Sequence, residues 1–190
     1  MARPRTFDEA RAVEAAVDAF RRKGYEGTST DDLCAAMGLG RSSIYNAFTS
    51  KHDLFVRALT RYVEARTGES TELMESAAPY REKVAALLGG VIAEECEQGL
   101  GCLVVNTSVE LAPRDAEIAR LLERDYRRRF EVAKAACERA VRDGELAADR
   151  DPDTLAHFVL AQVSGLRIAA RYGAGRPALE HIAATALAAL

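Results

Sequence analysis

The side chains best suited to chemistry fall in one short run, Arg41-Ser42-Ser43-Ile44-Tyr45-Asn46-Ala47-Phe48-Thr49-Ser50-Lys51. They contain no nucleophile–base pair, but their polar groups suit a nucleic acid. Arg41 can donate two parallel hydrogen bonds to a guanine edge, or one to a phosphate. Asn46 can read an adenine edge. The Tyr45 hydroxyl can donate to a phosphate, and Lys51 brings a charge to the flanking backbone. Ser42 and Ser43 fall near a helix start, where unpaired backbone N–H groups also favour a phosphate. From Gly38 to His52 there is no Asp or Glu. The chain of 190 residues has a formal net charge of −3, yet residues 1–67 carry 11 Lys/Arg against 9 Asp/Glu, and residues 68–190 carry 15 against 20. A groove-binding surface needs a local positive face, not a basic whole chain.

Helices must hold these groups outward. Thr28, Ser29 and Thr30 precede a short helix with Asp31 and Asp32 in its first turn and Leu33, Ala36 and Met37 as its inner face; Gly38 ends it. After two or three residues a second helical segment covers residues 41–48. Ile44 and Phe48, four apart, face the core, and Leu39 plugs the gap between the helices. Arg41, Ser42, Ser43, Tyr45, Asn46 and Ala47 are left on the outside. A short helix, a glycine-containing turn and a second short helix make the helix-turn-helix outline. Upstream, Thr6-Phe7-Asp8-Glu9 reads as a capping box for a helix through Ala10, Val13, Val17 and Phe20 that stops at Gly24. Downstream, Ser50-Lys51-His52-Asp53 opens a longer helix through Leu54, Phe55, Ala58, Leu59 and Tyr62, running to about Ala78 before Pro79 breaks it.

The remainder is also helical. The pattern predicts helices over roughly 80–97 and 103–111, a long one through Ile118, Tyr126 and Cys137 that stops at Gly144, one from Asp151-Pro152 to about Tyr172, and a last one from about Leu179 to Leu190. No strand-like alternation and no repeat is present. The expected fold is all-α with nine helices: a three-helix helix-turn-helix domain over 1–50 and a C-terminal helical domain over 51–190, the two linked by the helix over 51–78.

Phe20, Gly24-Tyr25, Thr28-Ser29, Leu33, Gly38-Leu39-Gly40, Ser43-Ile44-Tyr45, Phe48, Ser50-Lys51 and Leu54-Phe55, in that spacing, resemble the N-terminal domain of the TetR family of bacterial repressors. The likeness covers about a third of the chain. It implies phosphate contacts from Thr30, Tyr45 and Lys51, and base-edge or phosphate contacts from Arg41, Ser42, Ser43 and Asn46. Ala47 departs from members with a larger polar residue there, which leaves at most a thymine methyl to read. The resemblance also implies double-stranded operator DNA and a small-molecule effector as partners, with ligand binding and dimerisation the roles of the domain over 51–190. Effector binding would tilt the helix that starts at Ser50 and spoil the fit of two recognition helices to the groove.

One recognition helix touches few base pairs, so specific affinity calls for a dimer. The last two helices offer an apolar stripe with the small residues Ala156, Gly165 and Ala169, and TetR-like proteins pair these helices as a four-helix bundle. A ligand pocket would lie among the middle helices. Its candidate lining is Tyr62, Leu88, Ile92, Cys102 and Val105, with Asn106, Val109, Tyr126, Phe130, Phe158 and Gln162. All of these suit plain core as well. Asn106 and Gln162 stand out because an amide on an apolar face needs a partner.

Two other readings stay open. Cys102, after Gly101 at a helix start, could sense oxidants or electrophiles with Cys96 nearby. A helical interaction module without DNA is the other. An enzyme fits poorly: His52, His157 and His181 belong to no catalytic or metal motif, and no glycine-rich phosphate loop follows a strand. No cofactor and no metal is expected. The four cysteines, Cys34, Cys96, Cys102 and Cys137, form no C-x-x-C pair and read as reduced thiols. No apolar run is long enough for a membrane span, and the start lacks an apolar signal core, so the expected compartment is the cytoplasm.

Overall fold

The computed structural model describes residues 8–190, and among them the chain forms nine α-helices and no strand. Helix α1 (Glu9–Lys23) starts at Asp8, whose carboxylate accepts the Arg11 backbone N–H at 3.2 Å. Thr6 and Phe7, which the capping-box reading uses, lie outside the described residues. Three basic residues close the last turn, and Gly24 follows with φ 74° and ψ −179°. Helix α2 (Thr30–Met37) has a reciprocal capping box between Ser29 and Asp32 and ends on Gly38 in the left-handed region, φ 64° and ψ 31°. Leu33 is buried and Met37 half-buried, but Ala36, expected inside, is exposed. Helix α3 spans Arg41–Ala47, with Phe48 just past its end.

Helix α4 (Lys51–Glu75) stops short of the expected Ala78. The Ser76 hydroxyl donates to the Leu73 carbonyl at 2.8 Å, a local bond that competes with continuing the helix. Helices α5 (Tyr80–Glu97), α6 (Leu103–Glu110), α7 (Ala116–Arg142), α8 (Pro152–Arg171) and α9 (Arg176–Ala188) complete the chain.

Two cores hold these helices. The first joins Phe20, Leu33, Ile44, Phe48, Leu54 and Phe55 to Leu103, Leu111, Ile118 and Leu121. Phe55 takes the edges of two rings, with centroid separations of 4.9 Å to Phe20 and 5.0 Å to Tyr25. Full burial of a side chain of this size stabilises the fold by about 1.5–3 kcal/mol. This core crosses residue 50 and joins α1–α4 to α6 and α7. The second core joins α5, α7, α8 and α9 through Leu88, Ile92, Cys137, Leu155, Val159, Leu166 and Leu179. Beyond it, Ile168, Tyr172 and Ile182 on α8 and α9 remain exposed.

Candidate nucleic-acid interface and effector cavity

Helix α3 is pinned from below and bare above. Ile44 is 3% exposed and Phe48 fully buried. Arg41, Ser42, Ser43, Tyr45 and Asn46 are exposed, while Ala47 is half-buried. Thr30, half-buried on α2, comes within 3.4 Å of the Tyr45 hydroxyl, so these two groups share one surface. Lys51 stands at the start of α4 with its ammonium 4.4 Å from the centre of the Tyr25 ring. Of the seven residues expected to meet DNA, five lie on α3, Thr30 lies on α2 within reach of Tyr45, and Lys51 starts α4.

Arg41 is already engaged. Its Nε and Nη2 donate to the Asp31 carboxylate at 2.9–3.0 Å, and those hydrogen bonds raise the arginine pKa further. Both side chains are exposed, at 63% and 75%. Sequence reasoning treated Asp31 only as a helix-start charge. Its ten-residue separation from Arg41 spans a turn whose closure a linear pattern does not reveal.

A cavity of about 240 Å³ lies among α4–α8. Leu73, Leu87, Val91, Leu160 and Val163 form apolar wall; Arg66, Glu69, Glu94, Asp125, Arg129 and Arg167 also line it. Glu94 is the centre of this polar side. It accepts from Arg21 of α1 at 2.5 Å, from Arg66 of α4, and from Arg167 of α8 at 2.9 Å. Arg167 also donates to Glu95 at 2.7 Å. Asp125 accepts from Thr67 at 2.7 Å and pairs with Arg129 at 2.6 Å.

Of the expected lining residues, Tyr62 and Cys102 are on this wall. The Tyr62 hydroxyl donates to the Cys102 Sγ at 3.7 Å, and burial holds the Tyr62 pKa well above its ordinary value. The other expected residues lie elsewhere. Leu88 and Ile92 are buried in the second core, with Phe158 packed against it. Val105 packs on the first core. Asn106 reaches α1 and α8 instead: its Nδ2 donates to the Arg21 carbonyl at 3.5 Å, and its Oδ1 accepts from Arg171 at 3.3 Å. Val109 is 76% exposed. Tyr126 and Phe130 gather around His157, with a hydrogen bond of 2.7 Å and a ring stack of 4.4 Å. Gln162 is half-buried but not on the wall. Helical period tells which face is apolar, not which apolar face surrounds empty space. The cavity's charged residues were missed because charge on a helix reads as solvent-facing.

Further bonds tie the turn after α1 and the start of α4 to the rest. The Glu110 carboxylate, at the end of α6, accepts the backbone N–H groups of Tyr25 and Glu26 at 2.9 and 2.8 Å. Arg114 pairs with Glu26 at 2.8 Å, and His52 of α4 with Asp115 at 2.7 Å.

An exposed recognition helix braced by α1 and α2, followed by an all-helical body with a cavity, defines a helix-turn-helix DNA-binding regulator. Comparison with known proteins specifies the family. Residues 12–58 match the model of bacterial regulatory proteins of the tetR family, and residues 81–186 match the tetracyclin repressor-like C-terminal domain. The chain belongs to the tetR family, and is a DNA-binding transcriptional regulator of that type. It is 32% identical to an HTH-type transcriptional regulator of Bacillus subtilis, YezE, over 84% of each chain. It is also 32% identical to the Escherichia coli repressor ComR, over 97% of this chain and 90% of that one. Among solved structures, a cysteine mutant of the TetR family regulator CifR, complexed with operator DNA, superposes with a TM-score of 0.87 at 32% identity, covering 99% of both chains.

Proposed function

We propose that this protein is a cytoplasmic, homodimeric repressor that binds double-stranded operator DNA through α3 and leaves it when a small molecule enters the cavity among α4–α8. The observation that carries the reading is the bare outer face of α3, with Arg41, Ser42, Ser43, Tyr45 and Asn46 exposed around the buried Ile44. Thr30, Tyr45 and Lys51 hold phosphates; Arg41, Ser42, Ser43 and Asn46 meet base edges or phosphates. Repression is supported by relatives named as repressors, and the operator role by the DNA-bound CifR neighbour. The reading is regulation without catalysis. No helix among the described residues is long and apolar enough to cross a membrane, which fits a protein that works on DNA.

The test is fluorescence anisotropy with DNA from upstream of the protein's own gene, over about 50–200 mM salt. Lys51→Met and Tyr45→Phe should each weaken binding on all sequences. Losing the Lys51 charge lowers the steepness of log K against log salt by about 0.9, whereas Tyr45→Phe, which removes no charge, leaves it unchanged. Absence of any binding at the lowest salt would favour a helical interaction module instead.

A second reading attaches to Cys102, because its thiol lines the cavity whereas Cys96 is exposed outside it. An electrophile drawn into the cavity would alkylate Cys102 and hold the same released state. Native-state labelling with N-ethylmaleimide and mass spectrometry checks this; modification only at other cysteines removes it.

A further inference from the structure

Three guanidinium groups converge on the single Glu94 carboxylate, whose side chain is 8% exposed. Glu95 supplies one more carboxylate, to Arg167. Arg21 and Arg167 balance Glu94 and Glu95 in the buried part of the cluster, and the exposed carboxylates of Asp18, 3.9 Å from Arg21, and Glu69, 3.1 Å from Arg66, are screened by water. Arg66, the third guanidinium, faces the cavity. Both Glu94 oxygens are occupied, whereas each guanidinium has five N–H donors. On the same wall, the Arg129 Nε is buried with no hydrogen-bond partner. Asp125 is the opposing feature: its Oδ2 is likewise without a hydrogen bond but stands 2.6 Å from Arg129 as an ion pair. Arg66 and Arg167 each keep N–H donors beyond the bonds they make to Glu69, Glu94 and Glu95. Leu73, Leu87, Val91, Leu160 and Val163 are among the apolar lining.

We propose that the effector is a small monocarboxylate with a short apolar body, and that its carboxylate competes with Glu94 for Arg66 and Arg167. The inference rests on the reading of this cavity as the effector site. The cavity of about 240 Å³ suits a small molecule such as hexanoate or benzoate. Guanidinium is the side chain best matched to a carboxylate, which it grips with two parallel N–H donors. A second carboxylate entering the cluster repels Glu94. Glu94 is also the group to which Arg21 of α1 is tied, so occupancy loosens α1 and, with it, the helices that face DNA.

Calorimetry on the purified full-length protein tests the ligand class without DNA, using hexanoate, benzoate, hexan-1-ol and hexylamine. The two carboxylates should bind at least tenfold more tightly than the alcohol. Arg66→Gln should weaken them at least tenfold with circular dichroism unchanged. Leu87→Trp, which fills the apolar wall, should abolish binding of both. Failure of the carboxylates to bind, or equal or tighter binding of hexylamine, overturns the proposal. Upstream DNA then tests coupling: saturating hexanoate should weaken the wild-type complex by about 5–150-fold. In Arg21→Gln the acid should still bind while DNA affinity no longer answers to it, and a full response there overturns the coupling. A protein that binds upstream DNA but no carboxylate refutes this inference alone; one that binds no DNA refutes the earlier reading.

Discussion

Arg41 must leave one partner to gain another. Its bonds to Asp31 are charge-assisted but exposed, and water screens an ion pair at the surface. Exchanging Asp31 for a phosphate or a guanine therefore costs little. It also leaves the Asp31 carboxylate unneutralised beside α3. Asp31→Asn should tighten binding to any duplex by about three- to tenfold, with a smaller gain on operator than on unrelated sequence. Anisotropy on both duplexes measures this; weaker binding would mean that Asp31 orients Arg41 usefully. At this scale the sequence was informative where chemistry and exposure agree. The outer face of α3 follows from Ile44 and Phe48 pointing inward. Glu94 and Arg167 were not legible, because nothing in a helical charge pattern marks a carboxylate that will be buried under three arginines.

Between helices, glycine geometry and caps set the joints. Gly24 has φ 74° with ψ near 180°, a region essentially reserved for glycine, and an added Cβ would stand 2.7 Å from the Glu110 Oε2. Gly24→Ala should cost about 1–3 kcal/mol, a fall in Tm of about 2–4 °C per kcal/mol by calorimetry. Gly38→Ala has no such neighbour and should cost only the left-handed strain, about 1–2 kcal/mol. Helix starts also set the acid limit. Asp32 is held below its ordinary 3.8 by Lys23 and Ser29, Asp115 by the Ile118 N–H and His52, and Asp151 by Thr154. Because folding lowers these pKa values, their stabilisation is complete above 3.8 and is lost as pH falls below it. Tm measured from about pH 6 to about pH 2.5 should drop in the acid part of that range, and less steeply in Asp151→Asn. The elements themselves were readable: Tyr80–Glu97 runs between the expected ends, since Pro79 and Gly99 punctuate it. The end of α4 was not, because it turns on a serine hydroxyl choosing a carbonyl.

As a whole molecule, the chain needs a second copy to span two half-sites about 34–36 Å apart. Tyr172, just past the end of α8, is 88% exposed, and Ile168 on α8 and Ile182 on α9 are exposed as well. We propose that this face pairs with its twin. Tyr172→Glu with Ile182→Glu should yield a monomer by analytical ultracentrifugation and weaken operator binding at least a hundredfold, while leaving helicity intact. A dimer that survives the pair would move the interface elsewhere.

The Glu110 carboxylate has a practical consequence for anyone recombining such regulators. It grips the Tyr25 and Glu26 amides from a helix some eighty residues downstream, and Phe55 shares its core with Leu111 and Ile118. A head transplanted onto another body at residue 50 would arrive with its turn unclasped and an oily underside showing. Chimaeras that also carry the stretch from Leu103 to Ile118 should remain monodisperse where shorter grafts precipitate.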